Sequence, residues 1–509
     1  MTAGVLASLP ALTELGWSQH ARLPLLALLQ LLPLAGGAAL HAVRARDWAV
    51  RFGRVFFIAE LLLALLLYRG VDATRATLQY AERVDLLLYH VGADGVTVLF
   101  VLVTALIGLL LSLYEPARDR MRHSSLLVVI LLAQSALMTM LVTTNLLWFA
   151  AASAAEIGLV AYLLRAFVAD DAGEQAFSRF LQYQGFGLLL FLCGAVVLAW
   201  GHADATGGAW NFDLFELLLT PPAGKFQSAA FFLLFYGLAV RTPLFPLHGW
   251  LPDMAQHGTI AIAPTLLLGV KVGIYGMVRF VLPLTPDAVL SWQLYVVAFA
   301  ATGVFFAAIL ALLQTNLRRL LAFAVVSHTS LIVIGLFTLH PLGVQGALLL
   351  AVNFGFAVTV LLLMTAFVYR RTRTAELAEL GGLFERIPFV AIAFLIGGFS
   401  IVGMPGTPGF DAAHLMLEAS IERFGALPTV VAALGNVIAA GFLLWAFQRA
   451  FLSAPPEGVA MRQVDRVQPI EYLLGGLTLL VLLATGFLPE PWLHLTEAAT
   501  QAIAARFGG

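Results

Sequence analysis

The chain has 509 residues, of which 61% are hydrophobic and only 11% are charged. Soluble domains carry about 25% charged residues, so this composition indicates a polytopic membrane protein. The net charge of -1 argues against a nucleic-acid partner. Because Cys193 is the single cysteine, the sequence predicts no disulfide, no cysteine-ligated zinc and no iron–sulfur site.

The apolar runs of the sequence predict fourteen membrane-spanning helices, since about 20 apolar residues are needed to cross a bilayer. These helices lie at 23–43, 52–68, 94–114, 124–142, 145–167, 179–200, 228–256, 260–282, 291–313, 318–339, 342–369, 387–420, 427–448 and 470–488. The predicted fold class is therefore an all-α polytopic membrane protein. The stretch 70–95 is too polar to span and is expected at an interface, and the tail 489–509 is predicted to form a short amphipathic helix at the surface.

Arginines concentrate in the loops that follow odd-numbered helices. Arg118, Arg120 and Arg122 follow helix 3, and Arg318 and Arg319 follow helix 9. Loops rich in basic residues stay on the cytoplasmic side of a membrane. The pattern predicts a multi-pass protein with cytoplasmic odd-numbered loops and both termini on the outer face of the membrane.

Helices 7 and 12 are predicted to be broken. Helix 7 contains Pro243 and Pro246, and helix 12 contains the sequence Met-Pro-Gly-Thr-Pro-Gly-Phe-Asp at 404–411. Proline removes a backbone donor, and within lipid a break is tolerated only where protein or water receives the freed carbonyl groups. Paired breaks in two halves of a chain are typical of structural repeats with ion sites at the breaks.

The predicted repeats are helices 4–8 and helices 9–13. Because each repeat has an odd number of helices, the two copies would have opposite orientations. The predicted division of the chain is 1–123 for helices 1–3, 124–282 and 291–448 for the two repeats, and 449–509 for helix 14 and the tail.

Lys271 is the strongest candidate for an ion site. It lies in the apolar run 266–282, and only two of the 28 basic residues are lysines. An ionisable group in mid-membrane costs about 2.5–3.5 kcal/mol on insertion scales, so a functional role is the default interpretation. A lysine can also release its proton, which arginine cannot do. The alternative is a lysine that extends to an interface.

Glu156 lies in the middle of helix 5 and is predicted to bind a proton or cation, with Arg241 at the break in helix 7 as its basic partner. Alternatively, Glu156 serves packing alone, and Arg241 only caps the carbonyl groups freed by the prolines. His328 on helix 10 is a candidate proton relay, because histidine titrates near neutral pH. A structural role for this histidine is an equal alternative.

Other ionisable residues flank the two predicted breaks. His248 and Asp253 follow the first break and are expected to line or close its cytoplasmic end. Asp411, His414 and Glu418 follow the second break at spacings that place them on one helix face. This face suits an exit path for protons, or simply a hydrated surface.

Glu60 in helix 2 has no predicted partner, and a contact with another subunit is one explanation for it. The sequence contains no phosphate loop, dinucleotide fingerprint, metal-ligand spacing or redox centre. No cofactor, no metal and no catalytic site of the chain's own are predicted.

The sequence resembles the antiporter-like membrane subunits of respiratory complex I, and their relatives in Mrp cation/proton antiporters and membrane-bound hydrogenases. The resemblance rests on the stretches 241–253, 269–280, 324–328 and 405–410. It covers helices 3 to 13 and is greatest to the subunit M (subunit 4) type. It implies fourteen helices, two inverted five-helix repeats and proton transfer along a polar axis, with Lys271 and His328 at motif positions.

Several positions differ from the pattern of this family. Arg241 occupies a position that the family fills with lysine, and Glu156 lies one residue later than expected. Asn353 occupies a position often held by histidine, and Ala413 occupies the position of an acid or lysine in helix 12.

The predicted function is proton or sodium translocation by one membrane subunit of a complex I-like assembly. Other membrane and peripheral subunits would supply the driving reaction. Two alternatives are an ion-conducting subunit that powers inorganic-carbon uptake with a soluble zinc partner, and a mainly structural subunit whose ion path is degenerate.

Overall fold

The computed structural model describes residues 14–20, 23–42, 46–114, 123–168, 170–221, 223–259, 261–454 and 464–508. Within these ranges the chain is largely helical, which confirms the predicted fold class. Arg118, Arg120 and Arg122, which contribute to the predicted orientation, lie outside the described residues.

The helices labelled α1–α14 follow the fourteen predicted helices, with a and b for the halves of a broken helix, and α15 is the C-terminal helix. Their bounds are α1 Leu25–Ala42, α2 Arg46–Gly70, α3 Gly95–Leu113, α4 His123–Val142, α5 Leu146–Phe167, α6 Asp171–Thr206, α7a Gly224–Arg241, α7b Trp250–His257, α8a Ile262–Leu268, α8b Val272–Gly276, α9 Pro286–Leu312, α10 Leu317–Leu336, α11 Pro341–Thr372, α12a Pro388–Ile401, α12b Pro408–Phe424, α13 Ala426–Phe447, α14 Pro469–Phe487 and α15 Glu490–Ala504. Eleven helices in the described ranges are long and apolar enough to cross a membrane. The count of fourteen spans remains a prediction.

The helices α8, α10 and α11 form the centre of the molecule. In their apolar stretches 94%, 94% and 89% of the residues are buried, compared with 44% in α1 and 33% in α14. A helix that is apolar on all sides belongs in an interior, whereas α1 and α14 expose leucines at the periphery. The polar side chains of α8, α10 and α11 are therefore enclosed by protein.

Both predicted helix breaks are present. The first half of helix 7 ends at Arg241 and the second begins at Trp250, while the halves of helix 12 end at Ile401 and begin at Pro408. In the first break, the indole Nε1 of Trp250 donates to the carbonyl of Val240 at 3.1 Å. Protein rather than lipid satisfies this carbonyl, as a break at membrane depth requires.

Helix 8, predicted as a span at 260–282, contains a break that the sequence did not predict. The helix is interrupted at Lys271, which has a left-handed backbone with φ of 52°. Close packing accompanies the interruption, because a Cβ added to Gly355 of α11 would lie 2.0 Å from the carbonyl oxygen of Gly269. After α8b the chain continues as a π-helix at Met277–Val281, a feature common at functional sites. No proline marks this break, so the apolar composition of the run concealed it.

The polar stretch 70–95 forms most of a small sheet. Strand β1, Leu15–Gly16, pairs in parallel with β2, Gln79–Val84, which pairs antiparallel with β3, Tyr89–Ala93. The sheet satisfies the backbone of a segment that is too polar to span.

The C-terminal tail forms the predicted helix, α15. One of its faces is buried, because Leu495 and Ala499 are enclosed. The side chain of Gln345 on α11 donates to the carbonyl of Leu493 at 2.7 Å. The helix is therefore packed onto the bundle along one side.

Candidate functional site

Glu156 and Arg241 form a buried ion pair, as the sequence predicts. The guanidinium Nη2 of Arg241 donates to Oε2 of Glu156, and the two side chains are 8% and 0% exposed. The same nitrogen lies 3.7 Å from the sulfur of Met140. The pair joins the middle of α5 to the end of α7a, so the charge of each residue is compensated at the break.

Part of this ion pair remains without a partner. Oε1 of Glu156 and both Nε and Nη1 of Arg241 have no hydrogen-bond partner among the described residues. A cavity of about 20 Å³ adjoins Arg241 and is also lined by Ser153 and Gln184. Such a volume is large enough for one water molecule, and its polar lining consists of Arg241, Ser153 and Gln184.

Lys271 lies at the break in α8 with its side chain 2% exposed. Its Nζ donates to Oγ1 of Thr329 at 2.9 Å and lies 4.8 Å from the ring centroid of Phe354. Within the described part of the chain, no acidic side chain forms an ion pair with it. This burial contradicts the alternative of a lysine that extends to an interface. A hydroxyl and an aromatic ring compensate only part of the positive charge of the ammonium.

The breaks of helices 7 and 8 contact each other. A Cβ added to Gly273 would lie 1.6 Å from Oγ1 of Thr242 and 2.7 Å from the carbonyl oxygen of Leu238. Thr242 follows Arg241 directly, and Gly273 lies two residues after Lys271. Glycine at this position allows the two interrupted helices to approach each other.

His328 and Lys271 both lie against the ring of Phe354. The ring of His328 stacks on Phe354, with centroids 4.8 Å apart and planes at 16°. Its Nδ1 lies 3.1 Å from the carbonyl oxygen of Ala324. Because a carbonyl only accepts hydrogen bonds, Nδ1 carries the proton of the neutral ring and Nε2 is an acceptor. This Nε2 has no partner at hydrogen-bonding geometry among the described residues, and the backbone of Ile401 also lies close to the ring.

Asn353 and Ser400 form a closed pair beside the second break. Nδ2 of Asn353 donates to the carbonyl of Ser400 at 3.1 Å, and Oγ of Ser400 donates to Oδ1 of Asn353 at 2.7 Å. Both ends of the amide are used in this exchange. The neighbouring candidate position, Ala413, is buried and has no ionisable group. Neither of these two positions therefore contributes a titratable group beside the second break.

Asp411, His414 and Glu418 share one face of α12b but not one environment. Asp411 is half-buried, whereas His414 and Glu418 are exposed. Asp411 and Asn353 are polar residues in the lining of a largely apolar cavity of about 420 Å³. This cavity lies between α2 and α3 on one side and α11, α12b, α14 and α15 on the other. The structure brings only Asp411 near the enclosed polar groups.

His248 and Asp253 flank the other end of the first break. Asp253 forms ion pairs with Arg179 of α6 and, at 3.7 Å, with Arg319 of α10. His248 is packed against the rings of Phe245 and Phe306. Asp253 of α7b is thus joined by ion pairs to α6 and α10, while His248 lies in an aromatic environment.

Some polar contacts near the candidate site were not predicted from the sequence. Thr329, whose hydroxyl accepts from Lys271, directly follows the candidate His328 in the sequence. Its position next to a candidate residue could have indicated a polar contact. Arg279 forms a bidentate ion pair with Asp94, at 3.0 and 2.9 Å. Asp94 also caps α3, because its side chain accepts a hydrogen bond from the backbone amide of Thr97. An aspartate directly before an apolar run is a sequence signal for such a cap. This pair anchors the segment after Lys271 to the start of α3.

An enclosed bundle of apolar helices, with ionisable side chains at three breaks, defines a membrane protein of the ion-translocating class. The family described as NADH:quinone oxidoreductase/Mrp antiporter, TM matches residues 144–439. The chain belongs to this family, which confirms the resemblance found in its motifs.

Relatives and solved structures agree with this assignment. NADH-quinone oxidoreductase subunit M of Mycobacterium tuberculosis is 27% identical over 94% of this chain and 93% of its own. F(420)H(2) dehydrogenase subunit M of Methanosarcina mazei is 27% identical over 96% and 99%. A chain of respiratory complex I from Thermus thermophilus superposes with a TM-score of 0.85 at 26% identity, covering 95% of this chain and all of that one (100%). A chain of the Mrp complex from Dietzia sp. shares the fold, with a TM-score of 0.84 at 18% identity over 94% and 97%.

Proposed function

We propose that this chain translocates protons or sodium ions as one membrane subunit of a complex I-like energy-coupling assembly in a bacterial inner membrane. The family assignment and the named relatives support this function. The observation that carries it is the buried ammonium of Lys271, held by Thr329 and Phe354 at a helix break. Partner subunits supply the driving reaction, as the multi-subunit complexes of the structural relatives suggest.

In this proposal Lys271 is the central proton-exchanging group. Arg241 stays cationic at all working pH values, so the charge of the first pair depends on Glu156. When Glu156 takes up a proton, the positive charge of Arg241 is uncompensated and repels a proton on Lys271. His328 is assigned to receive this proton at Nε2. Asp411, His414 and Glu418 are assigned to the exit path, and His248 with Asp253 to the cytoplasmic end of the first break.

We also infer that α4–α8 and α9–α13 are the two inverted repeats. Matching backbone contacts at the second helix of each set support the division. The amide of Leu146 donates to the carbonyl of Phe212 at 3.0 Å. In the same way, the amide of Leu317 donates to the carbonyl of Ala375 at 2.8 Å.

The caps of these two helices match as well. Asn145 caps the start of α5 and forms an isolated antiparallel β-bridge with Asp213. Asn316 caps the start of α10 and forms the same kind of β-bridge with Glu376. The break also falls in the fourth helix of both sets. We place the arginine-rich start of α10 in the cytoplasm and both chain termini outside.

A mainly structural role is the second candidate function. It is favoured by the closed Asn353–Ser400 pair and by Ala413, which leave fewer titratable groups beside the second break. This candidate predicts that the chain is needed for assembly but that its buried lysine is dispensable for ion flow.

Proton flux into proteoliposomes that contain the purified complex separates the two candidates. We expect Lys271→Ala to abolish most of the flux assigned to this subunit while the complex still assembles. The matched control is Lys225→Ala, because Lys225 is the other lysine of the chain, is exposed and pairs with Asp204 at 3.5 Å. Unchanged flux in Lys271→Ala would support the structural candidate and contradict translocation through this site.

A further inference from the structure

Glu60, Glu156 and Glu471 are fully buried acids, and of these Glu60 forms no ion pair among the described residues. Glu60 lies in the middle of α2 with 0% exposure, so it is not the subunit contact suggested by the sequence. Its carboxyl group lies against the side chain of Gln134 on α4. Neither oxygen of Glu60 has a donor at hydrogen-bonding geometry among the described residues, and Oε1 of Gln134 has none either.

The orientation of the Gln134 amide is fixed by its other end. Its Nε2 donates to the carbonyl of Thr104 on α3 at 2.6 Å. Rotating the amide would place two oxygens against each other at Thr104 and lose this hydrogen bond. Oε1 and the second N–H of Nε2 therefore both remain for Glu60.

The fold makes room for this amide. A Cβ added to Gly108 would lie 2.6 Å from both Nε2 and Oε1 of Gln134. Glycine at this position of α3 lets the carboxamide rest on the helix backbone, one turn after Thr104. Three helices thus build a polar pocket around Glu60 at the middle of each helix.

An ionised Glu60 would be doubly unfavourable here. A buried carboxylate without a cationic partner bears a large desolvation penalty, and no described residue forms an ion pair with Glu60. Arg54, on the same helix, instead donates to the carbonyl of Ser112 at 3.4 Å. A protonated carboxyl also supplies the donor that the unpaired Oε1 of Gln134 lacks, whereas a carboxylate supplies none.

We propose that Glu60 is a proton-binding site outside the two repeats, a neutral carboxylic acid whose hydroxyl donates to Oε1 of Gln134. The hydrogen bonds continue from Gln134 to the carbonyl of Thr104 and end there, because a backbone carbonyl does not pass on a proton. The site therefore holds its proton and joins α2 to α4 rather than relaying protons. It is independent of the translocation proposed for Lys271.

Infrared difference spectra of the purified complex test this proposal directly. A protonated carboxyl has a carbonyl stretch well separated from the bands of a carboxylate. We expect the parent-minus-variant spectrum of Glu60→Gln to contain one protonated-acid band at pH 7. The glutamine amide can donate to Gln134 in the same way, so the variant should assemble and retain the proton flux of the parent.

Two further variants complete the test. Glu497→Gln, at an exposed site on α15, should remove carboxylate bands only. Gln134→Leu should shift the Glu60 band to the higher frequency of a carboxyl without a hydrogen bond. A carboxylate band in the Glu60→Gln difference spectrum, or an unshifted band in Gln134→Leu, would overturn the proposal. Loss of flux in assembled Glu60→Gln would overturn the claim that the proton is held in place.

Discussion

Nζ of Lys271 donates a hydrogen bond to Oγ1 of Thr329 at 2.9 Å, which joins the break in α8 to the middle of α10. Among the described residues this hydroxyl is the hydrogen-bond acceptor of the ammonium. Because a hydroxyl carries no charge, it stabilises the protonated lysine without fixing it in that state. A carboxylate in the same place would retain the proton more strongly.

Removing this hydroxyl should shift the protonation equilibrium of the lysine. A hydrogen bond to a charged group contributes about 1.5–3 kcal/mol, so Thr329→Val is expected to change proton flux by about tenfold or more. Thr329→Ser keeps the hydroxyl and is the matched control. The measurement is proton flux in proteoliposomes, and equal flux in the valine and serine variants would contradict a role for this contact.

The Glu156–Arg241 pair predicts a strong asymmetry between single and double substitutions. Glu156→Gln leaves the guanidinium buried without its counter-charge, which costs about 3–5 kcal/mol. We therefore expect a clear fall in the thermal unfolding midpoint of the purified complex. Glu156→Gln combined with Arg241→Leu should recover most of that loss, since no buried charge remains. If the fall in the unfolding midpoint of the double variant equals the sum of the falls in the two single variants, the two residues are not coupled in this way.

A buried histidine outside the spanning helices gives a pH-dependent contact. Nδ1 of His90 lies 2.8 Å from Oδ2 of Asp213, and Nε2 lies 3.1 Å from Oε1 of Glu14. Burial lowers the pKa of His90, but the contacts with the carboxylates of Asp213 and Glu14 outweigh it and raise the pKa to about 9. Histidine in an unfolded chain titrates near 6.5. The stabilisation is therefore complete below about pH 6.5 and is lost as the pH rises through about 9.

Hydrogen–deuterium exchange of the β2–β3 hairpin tests this pH dependence. After correction for intrinsic exchange, protection of residues 79–93 should fall between pH 7 and pH 10. Asp213→Asn removes one carboxylate and should move the loss to lower pH. Protection that stays constant up to pH 10 in the parent would show that the histidine does not hold this region.

Gly355 predicts a steric limit at the break in α8. A Cβ there would lie 2.0 Å from a backbone oxygen of Gly269, and a backbone atom at a packed helix crossing has little freedom to move. Overpacking costs about 1–3 kcal/mol or more, so Gly355→Ala should lower the unfolding midpoint or prevent assembly. Gly158→Ala is the control, because no atom lies within 4 Å of its added Cβ. Equal stability of both variants would contradict the close approach.

The features that the sequence predicted are those with strong local signals. Pro243 and Pro246 mark the break in helix 7, because a missing backbone donor has the same effect in any fold. Glu156 and Arg241 were predicted as partners because each is the exceptional charge in an apolar helix. These signals need no knowledge of tertiary contacts.

The features that the sequence did not predict depend on packing between distant segments. The break at Lys271 has no proline and is accompanied by the close approach of Gly269 and Gly355, which are 86 positions apart. Likewise, Gln134 is an ordinary polar residue in its own helix. It becomes the partner of Glu60 only because Gly108 lets it lie against α3. Such contacts have no periodic pattern that a single sequence reveals.

The most direct test of the account is proton flux through the assembled complex with Lys271→Arg. Arginine keeps the positive charge and most of the length of lysine, but it does not release its proton near neutral pH. We expect this variant to assemble like the parent and to lose the flux assigned to this subunit. Full proton flux with arginine at this position would contradict the claim that proton exchange at Lys271 is central to the function.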